Sequence, residues 1–335
     1  MSNIMILKFK IILILLFSFA SSVFPQDQPY VILVSFDGFR WDYSEREITP
    51  NLSEMKKNGV HALSLQPSFP TKTFPNHLSI ITGLYPQNHG IIFNSFTNPH
   101  NGEGYRLGDT ISVRDSKWYL GEAFWETAER NGIKTASFFW PGSELKLDHR
   151  RPTYYKKYDH NKPYIDRIEG VINWLKLPPS ERPHFITLYF DDTDTYGHKY
   201  GPNSDEVNES IKRLDGLIGE LKSRLKDINL YDSTNIIIVS DHGMTEIDTN
   251  RVINIEDILK LYDVEYGGSK PVMMIKPASG KTQEVFSLLK ENERHYKVYM
   301  KDDMPDHFHF NKHPFIYPII LVADIGWSLM TNDLS

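Results

Sequence analysis

Residues 31–43 read VILVSFDGFRWDY, and residues 236–244 read IIIVSDHGM. In both stretches a run of β-branched and other apolar residues ends in an aspartate that is followed within two positions by glycine. A short apolar run bounded by a turn signal is typical of a strand, and the run that ends at Phe36 has the pattern of a buried strand. The two stretches therefore predict an α/β fold, with Asp37 and Asp241 at the ends of strands.

Working outward from these stretches, helices and strands alternate along the chain. Helical patterns cover residues 50–58, 120–131, 164–177 and 204–227, and further strands are predicted at residues 61–66, 135–140 and 184–190. Alternation of this kind predicts a mostly parallel central sheet with helices on both faces. Ligands of such sheets bind beyond the carboxyl ends of the strands. We therefore expect Asp37, residues 191–194 and Asp241-His242 to meet at one edge of the sheet.

The pattern changes towards the end of the chain. A strand at residues 272–276, a helix at 281–292 and a strand at 297–301 predict a small α+β insertion, which spans about residues 265–315. The apolar run at residues 319–323 is expected to rejoin the main sheet.

Composition excludes several classes of site. The 335 residues include no cysteine, so disulfides, thiolate metal ligands and a cysteine nucleophile are excluded. The formal net charge of -6 is spread along the chain, which disfavours a nucleic-acid duplex as partner. A small phosphate substrate stays compatible with this charge, because a bound metal ion reverses the local field.

The N-terminal residues 1–22 have the pattern of a secretory signal peptide. Lys8 and Lys10 precede the apolar run at 11–20, and small residues follow it at 20–22. The run is shorter than the roughly 20 residues of a membrane-spanning helix, although an uncleaved membrane anchor is the alternative. We expect a secreted or periplasmic protein without stable membrane insertion after cleavage.

Candidate metal ligands follow the predicted strands. The adjacent side chains of Asp241 and His242 can both bind one zinc ion, and Asp194 and His198 are spaced to share a metal on one helical turn or in a tight loop. Each motif has a structural alternative: Asp241 as a helix cap, Asp194 and His198 in a hydrated surface loop, and Asp37 as part of an Asp-Gly turn.

A candidate nucleophile precedes the helical stretch at residues 78–83. Residues 70–77 read PTKTFPNH, and a hydroxyl at a helix N-terminus meets free backbone N–H groups that favour phosphate. Thr73 becomes a nucleophile only if something lowers its pKa, such as a coordinated metal. The alternative is that the hydroxyl only caps the helix.

Together these segments resemble the nucleotide pyrophosphatase/phosphodiesterase family of the alkaline phosphatase superfamily. The resemblance covers nearly all of the mature chain, in order. It is carried by VILVSFDGFRWDY (31–43), PSFPTKTFPNHLSIITGLYPQNHGI (67–91), FWPGSE (139–144), RPHFITLYFDDTDTYGHKYGP (182–202) and IIIVSDHGM (236–244).

The resemblance implies an alkaline phosphatase-like domain over residues 27–335 and two Zn²⁺ ions per active site. One zinc site corresponds to Asp37, Thr73, Asp241 and His242. Two of the three protein ligands of the second zinc correspond to Asp194 and His198.

The resemblance also implies the chemistry and the substrate. Thr73 corresponds to a nucleophile that forms a covalent phospho-threonine intermediate, and Asn94 corresponds to a residue that binds a phosphoryl oxygen, together with the Phe74 backbone N–H. The lining of a nucleoside pocket corresponds to Phe74, Leu107, Tyr158 and Tyr189. The expected function is zinc-dependent hydrolysis of phosphodiester or pyrophosphate bonds in small nucleotides.

The sequence departs from the family at the second zinc. The family's third ligand is a histidine near the C-terminus, and no counterpart is found, so the domain resembles a truncated one with reduced activity. His307, His309 and His313 are local candidates to replace it but are expected to lie away from the metals. Two alternatives stay open: an inactive binding protein, and a phosphodiesterase for phospholipid or choline headgroups, since an aromatic pocket suits both base stacking and choline.

Overall fold

The computed structural model describes residues 29–332. The strands, in chain order, are β1 (Tyr30–Phe36), β2 (Ser95–Thr97), β3 (Gly104–Arg106), β4 (Thr135–Phe138), β5 (Tyr154–Lys156), β6 (Phe185–Phe190), β7 (Thr234–Val239), β8 (Val252–Asn254), β9 (Val264–Ser269), β10 (Val272–Pro277), β11 (Tyr296–Met300), β12 (Ile319–Ala323) and β13 (Ser328–Met330). The α-helices are α1 (Pro50–Asn58), α2 (Thr73–Thr82), α3 (Pro86–His89), α4 (Phe124–Arg130), α5 (Tyr164–Leu175), α6 (Asp192–Tyr200), α7 (Asp205–Asp227), α8 (Ile255–Leu259) and α9 (Thr282–Glu291).

The main sheet is parallel throughout, in the order β5-β4-β6-β1-β7. The two stretches that predict the fold lie side by side, because β1 pairs with β7 as well as with β6. Every residue of β6 and all but one of β1 are buried, as continuous apolar runs require. The α/β prediction with a mostly parallel sheet is confirmed.

Two hydrophobic clusters cover the two faces of this sheet. Alternate residues of β1 point to opposite faces. Ile32 and Val34 pack in one cluster with apolar residues of α5 and α7, whereas Leu33 belongs to the other cluster with residues of α2 and α4. Helices therefore lie on both faces, which confirms that part of the prediction.

A second, smaller sheet is antiparallel, in the order β11-β12-β10-β9. Val272 and Met274 of β10 pack in the cluster beside α2, and Met273 and Ile275 pack on the opposite face against α8 and α9. Ile319–Ala323 forms strand β12 of this second sheet, so the prediction that this run rejoins the main sheet is wrong. A short apolar run fits a buried strand of either sheet, and its periodicity does not identify its partners.

Two other local predictions differ from the structure. The predicted strand at residues 61–66 is irregular, exposed backbone, because its alternating apolar pattern has no neighbouring strand with which to form a ladder. The helix predicted at 120–131 is shortened to Phe124–Arg130, with Glu126 accepting the backbone N–H of Ala123 just before the helix.

The expected signal peptide, residues 1–22, lies outside the described residues. Among the helices of residues 29–332, none combines the length and the apolar character that crossing a bilayer requires.

Packing of α5 on β4 leads to a stability prediction. A Cβ atom at Gly170 would lie 2.3 Å from Cε2 of Phe138, so we expect Gly170→Ala to lower the free energy of unfolding by about 1–3 kcal/mol through overpacking. The matched control is Gly216→Ala in α7, where a Cβ atom meets nothing within 4 Å. This control should raise stability by up to about 1 kcal/mol, because alanine favours the helix. Urea unfolding midpoints test both, and equal stabilities would contradict the packing argument.

Candidate active site

The carboxyl ends of β1, β6 and β7 form one edge of the main sheet, and the predicted acidic residues lie there. Asp37 follows β1 directly, and Gly38 turns the chain with a φ of 65°. A Cβ atom at Gly38 would lie 3.0 Å from Cα of Asp194, at the start of α6. Only glycine therefore allows α6 to approach Asp37 this closely while the backbone adopts a positive φ.

One cluster consists of Asp37, Thr73, Asp241 and His242. The Nε2 atom of His242 lies 3.4 Å from Oδ1 of Asp37, 3.3 Å from Oδ2 of Asp241 and 3.4 Å from Oγ1 of Thr73. Among the described residues, Asp37, Asp241 and His242 are the group whose ligand atoms converge as a metal site requires. The structure therefore brings together four predicted residues from three remote segments.

The spacing of these atoms fits a tetrahedral ion. Ligand atoms about 2.0–2.1 Å from a tetrahedral centre lie about 3.3–3.4 Å from one another. The Nδ1–H of His242 donates to the Gly243 carbonyl at 2.9 Å, which leaves Nε2 as the unprotonated nitrogen facing the oxygens. A histidine fixed in this tautomer is ready to bind a metal.

The carboxylates of the site carry unpaired oxygens. Oδ1 of Asp37, Oδ1 of Asp194 and Oδ2 of Asp241 are buried and accept no hydrogen bond within the described residues. Burial, with the nearby charges of Asp241 and Asp194, holds the pKa of Asp37 well above its ordinary value. Burial likewise raises the pKa of Asp241 to about 7. A bound cation would stabilise these carboxylates, so the donor set fits a metal.

Asp194 and His198 lie beside this cluster on α6. The predicted helical spacing is confirmed, and Oδ1 of Asp194 lies 3.3 Å from Nε2 of His198. The adjacent carboxylate of Asp194 raises the pKa of His198, whose side chain is largely exposed. The two side chains offer ligands for a second ion at the solvent side of the site.

Thr73 is the first residue of α2, and its hydroxyl lies 3.4 Å from Nε2 of His242. The N-cap position of this helix is Lys72, so the Thr73 side chain does not stand at the capping position. The Phe74 N–H donates to Oδ1 of Asn94 at 2.9 Å, so Asn94 lies beside Thr73 but already engages the N–H that was expected to hold a phosphoryl oxygen. Among the hydrogen bonds of residues 29–332, the side-chain amide N–H groups of Asn94 donate none, so they can donate to a ligand.

Asn76 and His77 hold the loop that leads into Thr73. The sequence motifs gave neither residue a catalytic role. Nδ2 of Asn76 donates to the carbonyls of Ser68, Pro70 and Lys72, and Nδ1 of His77 lies 2.8 Å from the Thr73 carbonyl. Burial lowers the pKa of His77 to about 3, so this histidine is neutral at ordinary pH. These contacts give His77 a structural role in the loop that carries Thr73.

The four residues expected to line a nucleoside pocket differ in exposure. Phe74 is partly buried, and Leu107 and Tyr158 are 41% and 48% exposed. Tyr189 is only 7% exposed, and its hydroxyl donates to Oδ2 of Asp37 at 2.6 Å. Tyr189 thus offers a ligand little more than a ring edge, and its strongest contact supports a carboxylate of the metal cluster.

The C-terminal histidines take no part in the cluster. His309 stacks on Tyr85 with ring centroids 3.8 Å apart, and His313 is buried against Phe315. His307 packs against Phe308. Their placement agrees with the expectation that they lie away from the metal ligands.

Comparison with known proteins gives consistent matches. Residues 31–335 match the sequence profile of the type I phosphodiesterase / nucleotide pyrophosphatase family. Ectonucleotide pyrophosphatase/phosphodiesterase family member 1 of Homo sapiens is 38% identical over 91% of this chain and 34% of its own length. Bis(5'-adenosyl)-triphosphatase enpp4 of Xenopus laevis is 36% identical over 91% of this chain and 67% of its own length.

A solved structure of murine ectonucleotide pyrophosphatase / phosphodiesterase 5, an inactive variant in complex with AMP, superposes with a TM-score of 0.86 at 33% identity. The match covers 92% of this chain and 82% of the murine chain. This chain thus spans between about a third and two thirds of the length of the two curated relatives. By profile, sequence identity and fold, the chain belongs to the type I phosphodiesterase / nucleotide pyrophosphatase family and has an alkaline phosphatase-like fold.

Proposed function

We propose that this protein is a zinc-dependent phosphodiesterase that hydrolyses phosphodiester or pyrophosphate bonds of small nucleotides with Thr73 as nucleophile. The observation that carries the proposal is the position of Oγ1 of Thr73, at the N-terminus of α2 and 3.4 Å from Nε2 of His242. Unpaired oxygens of Asp37 and Asp241 lie in the same cluster. A hydroxyl in these surroundings has the activating partners that an ordinary threonine lacks.

The donor set supports two Zn²⁺ ions. Asp37, Thr73, Asp241 and His242 would hold one, and Asp194 and His198 would hold the other, with solvent completing its coordination. Two such ions supply charge stabilisation to the attacking and leaving oxygens of an in-line displacement at phosphorus.

The protein's own groups then account for the remaining steps. Oγ1 of Thr73 gives up its proton to solvent and attacks phosphorus. The bond from phosphorus to the leaving oxygen breaks, the leaving oxygen takes up a proton from solvent, and a covalent phospho-threonine diester remains. The side-chain amide N–H groups of Asn94 would donate to the phosphoryl oxygens, which gain negative charge in the transition state, and the positive end of the α2 dipole favours the same charge. Water then hydrolyses the threonine ester and restores the hydroxyl.

A nucleotide is the favoured substrate. Phe74 lies next to the nucleophile, and the half-exposed Leu107 and Tyr158 offer apolar and aromatic surface for a base. The AMP bound by the murine relative supports this choice. Tyr189 would contribute through its support of Asp37.

The domain and its location complete the proposal. We propose that residues 27–335 form one catalytic domain that carries the small antiparallel sheet, and that the protein is secreted or periplasmic. The support for export is the pattern of residues 1–22.

The test is hydrolysis of the 4-nitrophenyl ester of thymidine 5'-monophosphate by the purified chain, with zinc content measured on the same sample. We expect up to two zinc ions per chain and a rate at least about a hundredfold above that for 4-nitrophenyl phosphate, a monoester. A nitrophenyl phosphocholine substrate tests the headgroup alternative in parallel. Zinc-loaded protein that hydrolyses neither diester would refute the proposal and favour the inactive binding protein.

A further inference from the structure

Tyr158 is half exposed, yet contacts on several sides hold its position. Its backbone N–H donates to Oε1 of Glu144 at 2.6 Å. Its ring meets Phe139 and Tyr189 edge to face, with centroid separations of 5.3 and 6.2 Å. Its hydroxyl lies 3.3 Å from Nδ1 of His160. A surface tyrosine with this many contacts is oriented before any ligand arrives.

The position of His160 is fixed by a buried carboxylate. Its Nδ1 lies 3.0 Å from Oδ2 of Asp191, a residue that is only 5% exposed. The other oxygen of Asp191 lies 3.1 Å from Nη1 of Arg167, which is fully buried. Arg167 also lies 5.0 Å from the ring of Phe139, the residue on which Tyr158 packs. A permanently charged guanidinium therefore anchors a chain of contacts that ends at the Tyr158 hydroxyl.

Nδ1 of His160 lies close to two oxygens, Oδ2 of Asp191 at 3.0 Å and the hydroxyl oxygen of Tyr158 at 3.3 Å. A carboxylate oxygen accepts a hydrogen bond, so a hydrogen on Nδ1 suits both contacts. Nothing in the local sequence connects His160 to Asp191.

We infer that His160 is a positioning residue for nucleoside binding, which holds the Tyr158 ring as a preformed wall of the base site through the Asp191–Arg167 pair. The inference rests on the proposed function only in that Tyr158 contacts the base. A wall that is ordered in advance spares the ligand the entropy of ordering it. Loss of one hydrogen bond of this kind corresponds to about a three- to tenfold loss of affinity.

The effect should be confined to ligands that carry a base. The phosphate end of the site depends on Thr73, Asn94 and the metal ligands, none of which contacts His160 among the hydrogen bonds and ion pairs of residues 29–332. The His160 side chain is 61% exposed, so its removal leaves no core cavity. A purely structural role would weaken all ligands alike.

The experiment is an NMR titration of the zinc-loaded protein with AMP and, separately, with methyl phosphate. His160→Ala should raise the dissociation constant of AMP about three- to tenfold and leave that of methyl phosphate within twofold. His160→Gln, which keeps an N–H donor, should recover most of the loss. Tyr158→Phe should match His160→Ala, and the double variant should add little, because both remove the same link. His100→Ala, at another exposed histidine, is the matched control and should change neither constant.

Three results would overturn the inference: an unchanged AMP constant in His160→Ala, an equal weakening of methyl phosphate, or a wild type that binds AMP no more tightly than methyl phosphate. Because binding is measured without turnover, the result of this titration does not depend on whether the protein hydrolyses diesters. A wild type that binds AMP but hydrolyses no diester would refute the hydrolase proposal, while the His160 comparison would still be decided.

Discussion

Thr73→Ala should abolish diester hydrolysis, with kcat falling by at least about a thousandfold. The substitution removes the only hydroxyl within reach of Nε2 of His242 among the described residues, and with it the covalent step. The nucleotide should still bind, since Asn94, Phe74 and the carboxylates stay in place. Single-turnover kinetics with the nitrophenyl thymidine diester measure the loss, and an AMP titration measures binding.

Two variants on the same helix serve as controls. Thr73→Ser keeps a hydroxyl and should retain measurable activity. The hydroxyl of Thr82, at the other end of α2, donates to the Leu78 carbonyl, and Thr82→Ala should alter kcat by less than about twofold. A Thr73→Ala protein with normal zinc content and more than a tenth of the wild-type rate would show that the nucleophile is water or another residue.

Removal of the metal should make stability depend strongly on pH. In the folded protein without metal, burial raises the pKa of Asp241 from its ordinary value of 3.8 to about 7. The folded state then binds a proton more tightly than the unfolded state does, so the stabilisation is complete below about pH 4 and is lost as the pH rises through about 7. The difference between the two pKa values corresponds to roughly 4 kcal/mol at about 1.36 kcal/mol per pKa unit.

We therefore expect chelated protein to unfold at a clearly lower temperature at pH 8 than at pH 5, as measured by circular dichroism. Addition of Zn²⁺ at pH 8 should reverse the loss, because the cation stabilises the ionised carboxylates. Asp37, whose pKa is raised in the same direction, adds to the effect.

Asp241→Asn is the control for the pH effect. The neutral asparagine side chain cannot ionise. The unfolding temperature of this variant in chelator should therefore vary less between pH 5 and pH 8 than that of the wild type, and Zn²⁺ should raise its unfolding temperature at pH 8 by a smaller amount. A chelated wild type with equal unfolding temperatures at the two pH values would mean that the buried carboxylates are compensated by something other than a metal.

Much of the fold could be predicted because its signals are local. The runs that became β1, β6 and β7 are rich in apolar and β-branched residues, and helix α7 has apolar residues at spacings of three and four, so their types follow from their own patterns. Residues 319–323 carry the same kind of signal, but this signal does not identify the strands with which they pair. Whether they lie in the main sheet or between β10 and β11 depends on which apolar surfaces are left to cover.

The candidate site, like the fold, has a part that the sequence predicts and a part that depends on tertiary packing. The candidate roles of Asp37, Thr73, Asp241 and His242 could be predicted from the sequence, through their residue types at strand and helix ends and through the resemblance of these segments to the family. The distances of 3.3–3.4 Å from Nε2 of His242 to the oxygens of Asp37, Asp241 and Thr73 depend on the parallel pairing of β1 with β7 and on the packing of α2 against the sheet.

The sequence by itself therefore determined the class of fold and the atoms available for catalysis. Only the tertiary structure decided that Tyr189 supports Asp37 and that His160 links Tyr158 to Asp191 and Arg167. The physical reason is the sequence separation over which each kind of interaction acts. Periodicity and turn chemistry act between residues a few positions apart, whereas these contacts join separate segments that meet only when the sheet and its helices have packed.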